Sequence, residues 1–328
     1  MRWLGKTGVK VSRVSLGTMT FGGDADEAAA AAMWRAARDA GINFIDTADV
    51  YNGGRTEEIV GRLMQGERDQ LVLATKAYFP TGAGPNDRGT SRFHLVRAVE
   101  ASLRRLGTDR IDVYYLHRFD DATGIEESLR ALDGLVQSGK VLYPAASNFA
   151  AWQVAQALGI QHAHGWAPLV ALQPMYNLVK RTAEIEILPM AQALGVGVVP
   201  YSPTGGGLLT GKYGVDRAPA QGRLSDAKMY ATRYADRANY EIAERFVALA
   251  AELGHAPATL ATAWVASHPA VTSVIAGARN VEQLAATLAA NTLELDAETR
   301  ARISALSPEP PPATDRNEEK TAHNFGAR

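Results

Sequence analysis

The chain has 328 residues, 46% of them hydrophobic, and a formal net charge of −1. That is enough apolar material for one large core or two small ones, and the balanced charge gives neither nucleic acid nor an anionic membrane a reason to bind. The sequence has no cysteine, which excludes disulfides, zinc–thiolate sites, iron–sulfur clusters and cysteine nucleophiles. The N-terminus lacks the basic and apolar regions of a signal peptide, and no run approaches the ~18 apolar residues of a membrane span, so a cytoplasmic location is expected.

Trp3-Leu4 and Val9-Lys10-Val11 flank the turn Gly5-Lys6-Thr7-Gly8 and predict a small hairpin. An alternation follows. Val14-Ser15-Leu16 reads as a strand and 26–40 as a helix, with Met33, Ala36, Ala37 and Ala40 on one face and Gly41 after its end. Strand two is 43–46 and its helix 57–64; strand three is 71–76. After a Gly/Pro/Asn-rich loop over 80–89, Leu95, Val99, Leu103 and Leu106 are in phase and predict a helix over 91–106. Strand four is 111–117, with a helix over 125–137. Strand five, 141–147, contains Pro144, which counts against it because proline cannot donate to a ladder. A helix over 150–158, strand six over 169–173, a helix over 183–194 and strand seven over 197–201 continue the pattern. A Gly-rich segment then runs to about 231, before helices over 234–253 and 257–267, the second with Pro257 in its first turn. Strand eight is 271–275, and helices over 281–289 and 297–305 close the chain.

Eight apolar strands, each followed by a helix, predict an α/β protein with a closed parallel sheet, a (β/α)8 TIM barrel preceded by a hairpin. Residues 1–306 form that single domain, and 307–328, rich in proline and then polar, form an irregular tail. The rival, an open doubly wound sheet, calls for a Gly-rich dinucleotide turn after its first strand, which Gly17-Thr18-Met19-Thr20-Phe21-Gly22-Gly23 does not match.

In such a barrel, side chains at the C-terminal strand ends converge on one pocket. Asp46, Lys76 and His117 stand at the ends of strands two, three and four, and Tyr51 follows Asp46 by five residues, before the break Asn52-Gly53-Gly54. Each alone has a plain reading: a turn aspartate, a packing ring, a carboxylate's partner, a core histidine. Ionisable groups at the ends of apolar strands are costly unless paired, however, and four at one rim point to chemistry. A tyrosine titrates near ~10, and a neighbouring ammonium lowers that value. An aspartate would hold the lysine charged, and a histidine would polarise a carbonyl oxygen. A tyrosine that protonates a developing alkoxide, with no metal-ligand set, implies hydride from a cofactor, that is, carbonyl reduction.

The residues lie in stretches that resemble the aldo-keto reductase superfamily from Trp3 to about Leu306. These are Phe44-Ile45-Asp46-Thr47-Ala48-Asp49-Val50-Tyr51, Ala74-Thr75-Lys76, Leu116-His117-Arg118, Ser147-Asn148-Phe149, Gln173-Pro174-Met175-Tyr176-Asn177-Leu178, Tyr201-Ser202-Pro203 and Gly277-Ala278-Arg279-Asn280. The branch it is similar to is the bacterial one related to the β-subunits of voltage-gated potassium channels. The resemblance places the family's catalytic tetrad on Asp46, Tyr51, Lys76 and His117. It implies that the nicotinamide amide meets Ser147, Asn148 and Gln173, with the ring stacked on Tyr201. The pyrophosphate would lie under the segment with Ser202, Pro203 and Leu208, near Lys212, and Gly277, Arg279 and Gln283 would hold the adenosine end. Backbone amides of a Gly-rich loop suit phosphate, and arginine forks a 2′-phosphate, which favours NADPH. Three positions depart from the family pattern: Ala286 and Thr287 stand where Glu and Asn often meet the adenine, Thr204-Gly205-Gly206 replaces Leu-Ala-Gly, and Leu142-Tyr143-Pro144 replaces Arg-Tyr-Ile.

The expected partner is a small-molecule carbonyl substrate, with the chain a monomer or homo-oligomer. Phe21, Tyr78, Phe79, Arg118 and Phe119, with the tail, are expected around that substrate, an apolar or sugar-like carbonyl face. Two alternatives stand beside the reductase: a cofactor-sensing regulatory subunit, and a lyase with a Schiff base on Lys76. Gly206 to Lys212 matches a P-loop pattern, but Tyr213 stands where Ser or Thr must bind magnesium. His162 and His164 could share a strand face, but no further metal ligand accompanies them.

Overall fold

The computed structural model describes residues 1–313. It opens with a hairpin in which β1 (Arg2–Trp3) pairs antiparallel with β2 (Lys10–Val11). The main sheet consists of β3 (Val14–Gly17), β4 (Phe44–Asp46), β5 (Val72–Ala77), β6 (Ile111–Leu116), β7 (Val141–Ser147), β8 (Ala171–Gln173), β9 (Gly197–Val198) and β10 (Val274–Ala276). All neighbours are parallel, in the order β10-β3-β4-β5-β6-β7-β8-β9. Val198 and Val271 form a parallel bridge, and Ile275 N donates to Pro200 O at 3.0 Å, so bonds also link the two end strands. This is the (β/α)8 architecture that the alternation predicts.

The helices are α1 (Glu27–Asp39), α2 (Arg55–Leu63), α3 (Arg92–Leu106), α4 (Ile125–Gln137), α5 (Ala151–His164), α6 (Ile187–Leu194), α7 (Arg223–Asp226), α8 (Lys228–Arg233), α9 (Arg237–Glu252), α10 (Pro257–Ala266), α11 (Val281–Leu288) and α12 (Ala297–Ser304). Their ends follow local chemistry. Asp26 and Ser91 cap α1 and α3 by accepting from Ala29 N and His94 N, and Gly107, at φ 63°, ends α3. Among the described residues, no helix is long and apolar enough to cross a membrane.

Two apolar layers result. One lies between strands and helices. The other fills the barrel: Phe44, Val72, Ala74, Val113, Tyr115, Ala145, Ala171, Val199 and Ile275 pack together, and Leu4 and Val11 of the hairpin join them from the N-terminal end. Strand side chains alternate sides with period two. The next inward positions after these apolar residues are Asp46 on β4, Lys76 on β5, Ser147 on β7 and Gln173 on β8, with His117 and Tyr201 just beyond β6 and β9. The polar set is therefore the last layer of the barrel interior.

Some expectations need correction. Helix α5 continues past 158 to His164, because Gly165 (φ 66°), not Gly159, turns the chain. His162 and His164 thus lie in a helical last turn rather than on a strand face, and His164 stacks on Trp166 with ring centroids 4.4 Å apart. The helix expected over 183–194 divides into a 3-10 turn at Thr182–Glu184 and α6. The Gly-rich segment to 231 holds a 3-10 stretch, Gly205–Thr210, and the short helices α7 and α8, whose few turns leave no period to read. No helix begins at Lys212, unlike in a P-loop: 211–222 is not helical. Of the tail, 307–313 is described and irregular, with Arg181 Nη1 donating to Ser307 O at 3.2 Å; the remainder lies outside the described residues.

Candidate active site

The loop after β4 stays hydrogen-bonded to β5, with Thr47 N on Ala74 O at 2.9 Å and Asp49 N on Lys76 O at 3.1 Å. Asn52, Gly53 and Gly54 then take positive φ in succession, and Asn52 Nδ2 donates to Met19 O and Phe21 O at 3.0 and 2.9 Å. Together these bonds fold the loop back over its own strand end and hold Tyr51 above Lys76. The five-residue spacing thus has a geometric purpose.

Lys76 is wholly buried. Its ammonium donates to Asp46 Oδ1 at 2.6 Å and Thr47 O at 2.8 Å, with Tyr51 Oη 3.4 Å away. Burial, the largest influence, pulls the lysine pKa down, but Asp46 and Tyr51 oppose it and the net direction is up, so the ammonium stays charged. Asp46 is held on its other oxygen by Gln173 Nε2 at 2.8 Å. The Tyr51 hydroxyl departs from the expectation of a lowered pKa. Burial outweighs the neighbouring ammonium, the net direction is up, and the phenol is protonated at neutral pH. His117 sits edge-on to Tyr51, with ring centroids 6.1 Å apart, and to Phe79 at 4.9 Å. Burial, with Lys76 adding to it, holds its pKa well below the usual 6.5, which keeps the imidazole neutral.

The residues expected near a nicotinamide form one network. Ser147 Oγ donates to Gln173 O at 3.0 Å, Asn148 Nδ2 donates to His117 O at 3.0 Å, and Tyr201 Oη donates to Asn148 Oδ1 at 2.8 Å. Asn148 and Ser202 have φ of 56° and 59°; with Asn52 they are the non-glycine residues with positive φ among those described. All three strained positions flank this site, as strain held by function does.

Beyond Tyr201, Gly205, Gly206 and Gly207 also take positive φ, and a Cβ on Gly207 would stand 2.7 Å from Lys212 Cε. Lys212 has no ion-pair partner among the described residues. Burial and the cations Arg279 and Arg223 lower its pKa. A glycine-rich backbone beside Lys212, which feels the cations Arg279 and Arg223 against the single carboxylate of Asp226, is an arrangement the phosphates of a dinucleotide would relieve, so these residues fit such a group. Pro203 and Leu208 are buried, and the Leu208 side chain belongs to the core, so Leu208 supports the turn from beneath. Gly277 is exposed and closely faces Gly17 O, Gln283 Oε1 accepts from Arg279 N at 3.3 Å, and Thr287 donates within its own helix to Leu284 O.

Of the substrate-side residues, Tyr78, Phe79 and Phe119 are half-buried and Arg118 is exposed; Phe79 packs on His117 and Tyr78 on Phe79, whereas Phe119 packs on Phe149. Phe21 is not with them: it is wholly buried in the core beneath the loop, where the turn over 18–25 packs it. Two side chains escaped the sequence reading. Trp152, 62% exposed at the start of α5, has its ring centroid 6.1 Å from that of Phe119, and the guanidinium groups of Arg223 and Arg233 lie 5.2 and 4.9 Å from the ring centroid of Tyr230 on α8. An isolated tryptophan and a tyrosine in an aperiodic segment give no signal in the sequence. Asp49 was missed as well. It is buried, neither of its carboxylate oxygens has a hydrogen-bond partner among the described residues, and burial with Glu57 raises its pKa to about 8.

A tyrosine on a charged buried lysine, beside a neutral histidine, can protonate an oxyanion at a barrel mouth. Comparison with known proteins agrees in class. The Aldo/keto reductase family pattern matches residues 13–308, and the chain belongs to that family. It is 42% identical over 324 residues to the uncharacterized oxidoreductase YrpG of Bacillus subtilis (strain 168), covering 94% of this chain and 96% of that protein. It is 39% identical over 288 residues to a probable voltage-gated potassium channel subunit beta of Oryza sativa subsp. japonica, 86% and 88% of the two chains. To the L-glyceraldehyde 3-phosphate reductase of Escherichia coli O157:H7 it is 33% identical over 316 residues, 92% and 90%. The chain is thus similar to oxidoreductases, and carbonyl reduction is the general chemistry of the group.

Proposed function

We propose that the chain is an NADPH-dependent reductase that converts an aldehyde or ketone to the alcohol. The observation that carries this reading is the line Asp46–Lys76–Tyr51 beside His117 at one strand-end layer. When bound, the reduced nicotinamide supplies the hydride to the carbonyl carbon. The C=O π pair moves to oxygen, and Tyr51 Oη delivers its proton there. Lys76, held charged by Asp46, stabilises the phenolate left behind, and the neutral imidazole of His117 orients the carbonyl oxygen. A Schiff base on Lys76 is disfavoured, because that mechanism needs the free amine and every influence of Asp46 and Tyr51 keeps the ammonium.

Ser147, Asn148 and Gln173 would meet the carboxamide, Tyr201 the ring, Ser202 and Lys212 the pyrophosphate, and Gly277, Arg279 and Gln283 the adenosine end. Tyr78, Phe79, Arg118 and Phe119, with Trp152 added, would face the substrate, a sugar-like or xenobiotic carbonyl. The setting is cytoplasmic, where reduced nucleotide is supplied. The test is NADPH consumption across a panel of aldehydes, ketones and keto-sugars, with turnover expected for at least one class. Relatives named as potassium channel β-subunits support a second reading, a cofactor-sensing subunit. Tight NADPH binding with no turnover across the panel would favour it over the reductase.

A further inference from the structure

Arg279, on the loop between β10 and α11, is tied to two other loops. Its Nε lies 3.0 Å from Asp24 Oδ2, and its Nη2 lies 3.6 Å from Asp226 Oδ2. Asp24 stands between β3 and α1, and Asp226 ends α7, in the segment after β9. These segments leave the three strands that meet where the sheet joins itself. Asp226 Oδ2 also accepts from Gly222 N at 2.9 Å, which fixes the carboxylate toward the guanidinium. Nothing in the reductase reading uses either aspartate.

A guanidinium presents its N–H donors as a planar fork, and a phosphate takes two of them in parallel. Here two carboxylates already form ion pairs at different nitrogens of Arg279. We propose that Asp24 and Asp226 set the nucleotide selectivity of this chain: they compete with a 2′-phosphate for Arg279 and hold the preference for NADPH over NADH low. The inference rests on the reading that Arg279 meets the adenosine end. A 2′-phosphate brings negative charge to a guanidinium bracketed by two negative charges, so binding must displace at least one aspartate and tolerate the other nearby. A 2′-hydroxyl brings no charge, leaves both ion pairs in place and is indifferent to them. The three side chains are 31% to 53% exposed, so screening keeps each pair weak, and the combined effect is a few-fold rather than many orders.

The test is a set of equilibrium titrations, by quenching of intrinsic fluorescence, with NADPH, NADH and 2′,5′-ADP. Wild type, Asp24→Asn, Asp226→Asn, the double variant, and the double variant with Arg279→Ala are compared. The double variant is expected to bind NADPH and 2′,5′-ADP about five- to tenfold more tightly than wild type, with NADH changed less than twofold. The gain should vanish when Arg279 is alanine. Equal tightening of NADPH and NADH, no tightening, or a gain that persists without Arg279 would overturn the proposal. Wild type that binds none of the three nucleotides would instead overturn the cofactor reading beneath it.

Discussion

Asp46→Asn changes one charge at the centre of the site and little else. In the native chain Lys76 has no exposed side-chain surface, and its ammonium lies 2.6 Å from a carboxylate whose side chain is 4% exposed. With an effective dielectric near 20, two unit charges at 2.6 Å attract by about 6 kcal/mol. The net effect is smaller, because desolvation opposes it, and removing one partner of a buried pair costs about 3–5 kcal/mol. The pH dependence distinguishes this loss from a packing defect. In wild type the folded lysine pKa is raised above 10.5, so its stabilising contribution is fully present below that value and is lost only as pH rises through the folded pKa. In the variant, burial acts with much less opposition and the folded pKa falls below 10.5, so the unfolded state binds the extra proton between the two values. The variant should therefore gain stability between about pH 7 and about pH 9.5, whereas the wild-type lysine contributes no such slope. Urea unfolding at the two pH values measures this, and Asp46→Asn/Lys76→Met should recover part of the loss. A cost under about 1 kcal/mol with no added slope would refute the reasoning.

Three further outcomes follow from the same geometry. Asp49 has its pKa raised from 3.8 to about 8, so the folded acid keeps a proton that the unfolded chain releases, and stability falls as pH rises through that window. Asp49→Asn should lessen that fall, by at most ~1.4 kcal/mol per pH unit, so its melting temperature should gain on wild type from pH 5 to pH 8; parallel curves would contradict this. Because His117 is held neutral well below 6.5, kcat/KM for reduction should show no acid limb near that value, and a limb there would place a proton on the imidazole. Gly207→Ala puts a Cβ 2.7 Å from Lys212 Cε at a φ of 97°, so it should destabilise the fold by about 1–2 kcal/mol and weaken dinucleotide binding by titration. An unchanged Kd would separate Lys212 from the phosphates.

Most of the barrel was legible because its strands are apolar runs and its helices keep phase; 125–137 and 141–147 were read to the residue. Pro144 told against its strand, yet β7 runs through it. The Pro144 carbonyl accepts from Val170 N at 2.9 Å, so the missing N–H faces the same side, where the β8 ladder begins only at Ala145↔Ala171. Pro144 pairs in register with Tyr114 on β6, and its missing N–H falls on the β8 side before that ladder starts. At the site, the positions of Asp46, Lys76 and His117 were readable because each closes a strand. Their electrostatics were not: whether burial or Lys76 governs Tyr51 depends on the closeness of the loop, which spacing does not encode. The same holds for Asp24, Asp226 and Arg279, which are 255 residues apart at the extremes and meet only because the sheet joins itself.

The central claim is that Tyr51 delivers the proton. Among the described residues its hydroxyl has one hydrogen-bond partner, Lys76 at 3.4 Å, so Tyr51→Phe should leave the fold and nucleotide binding intact. Single-turnover reduction of an active carbonyl by Tyr51→Phe saturated with NADPH measures this directly. A rate lower by about 10²–10⁴, with a nucleotide Kd within about twofold of wild type, is the predicted result. Unchanged turnover by Tyr51→Phe would contradict it.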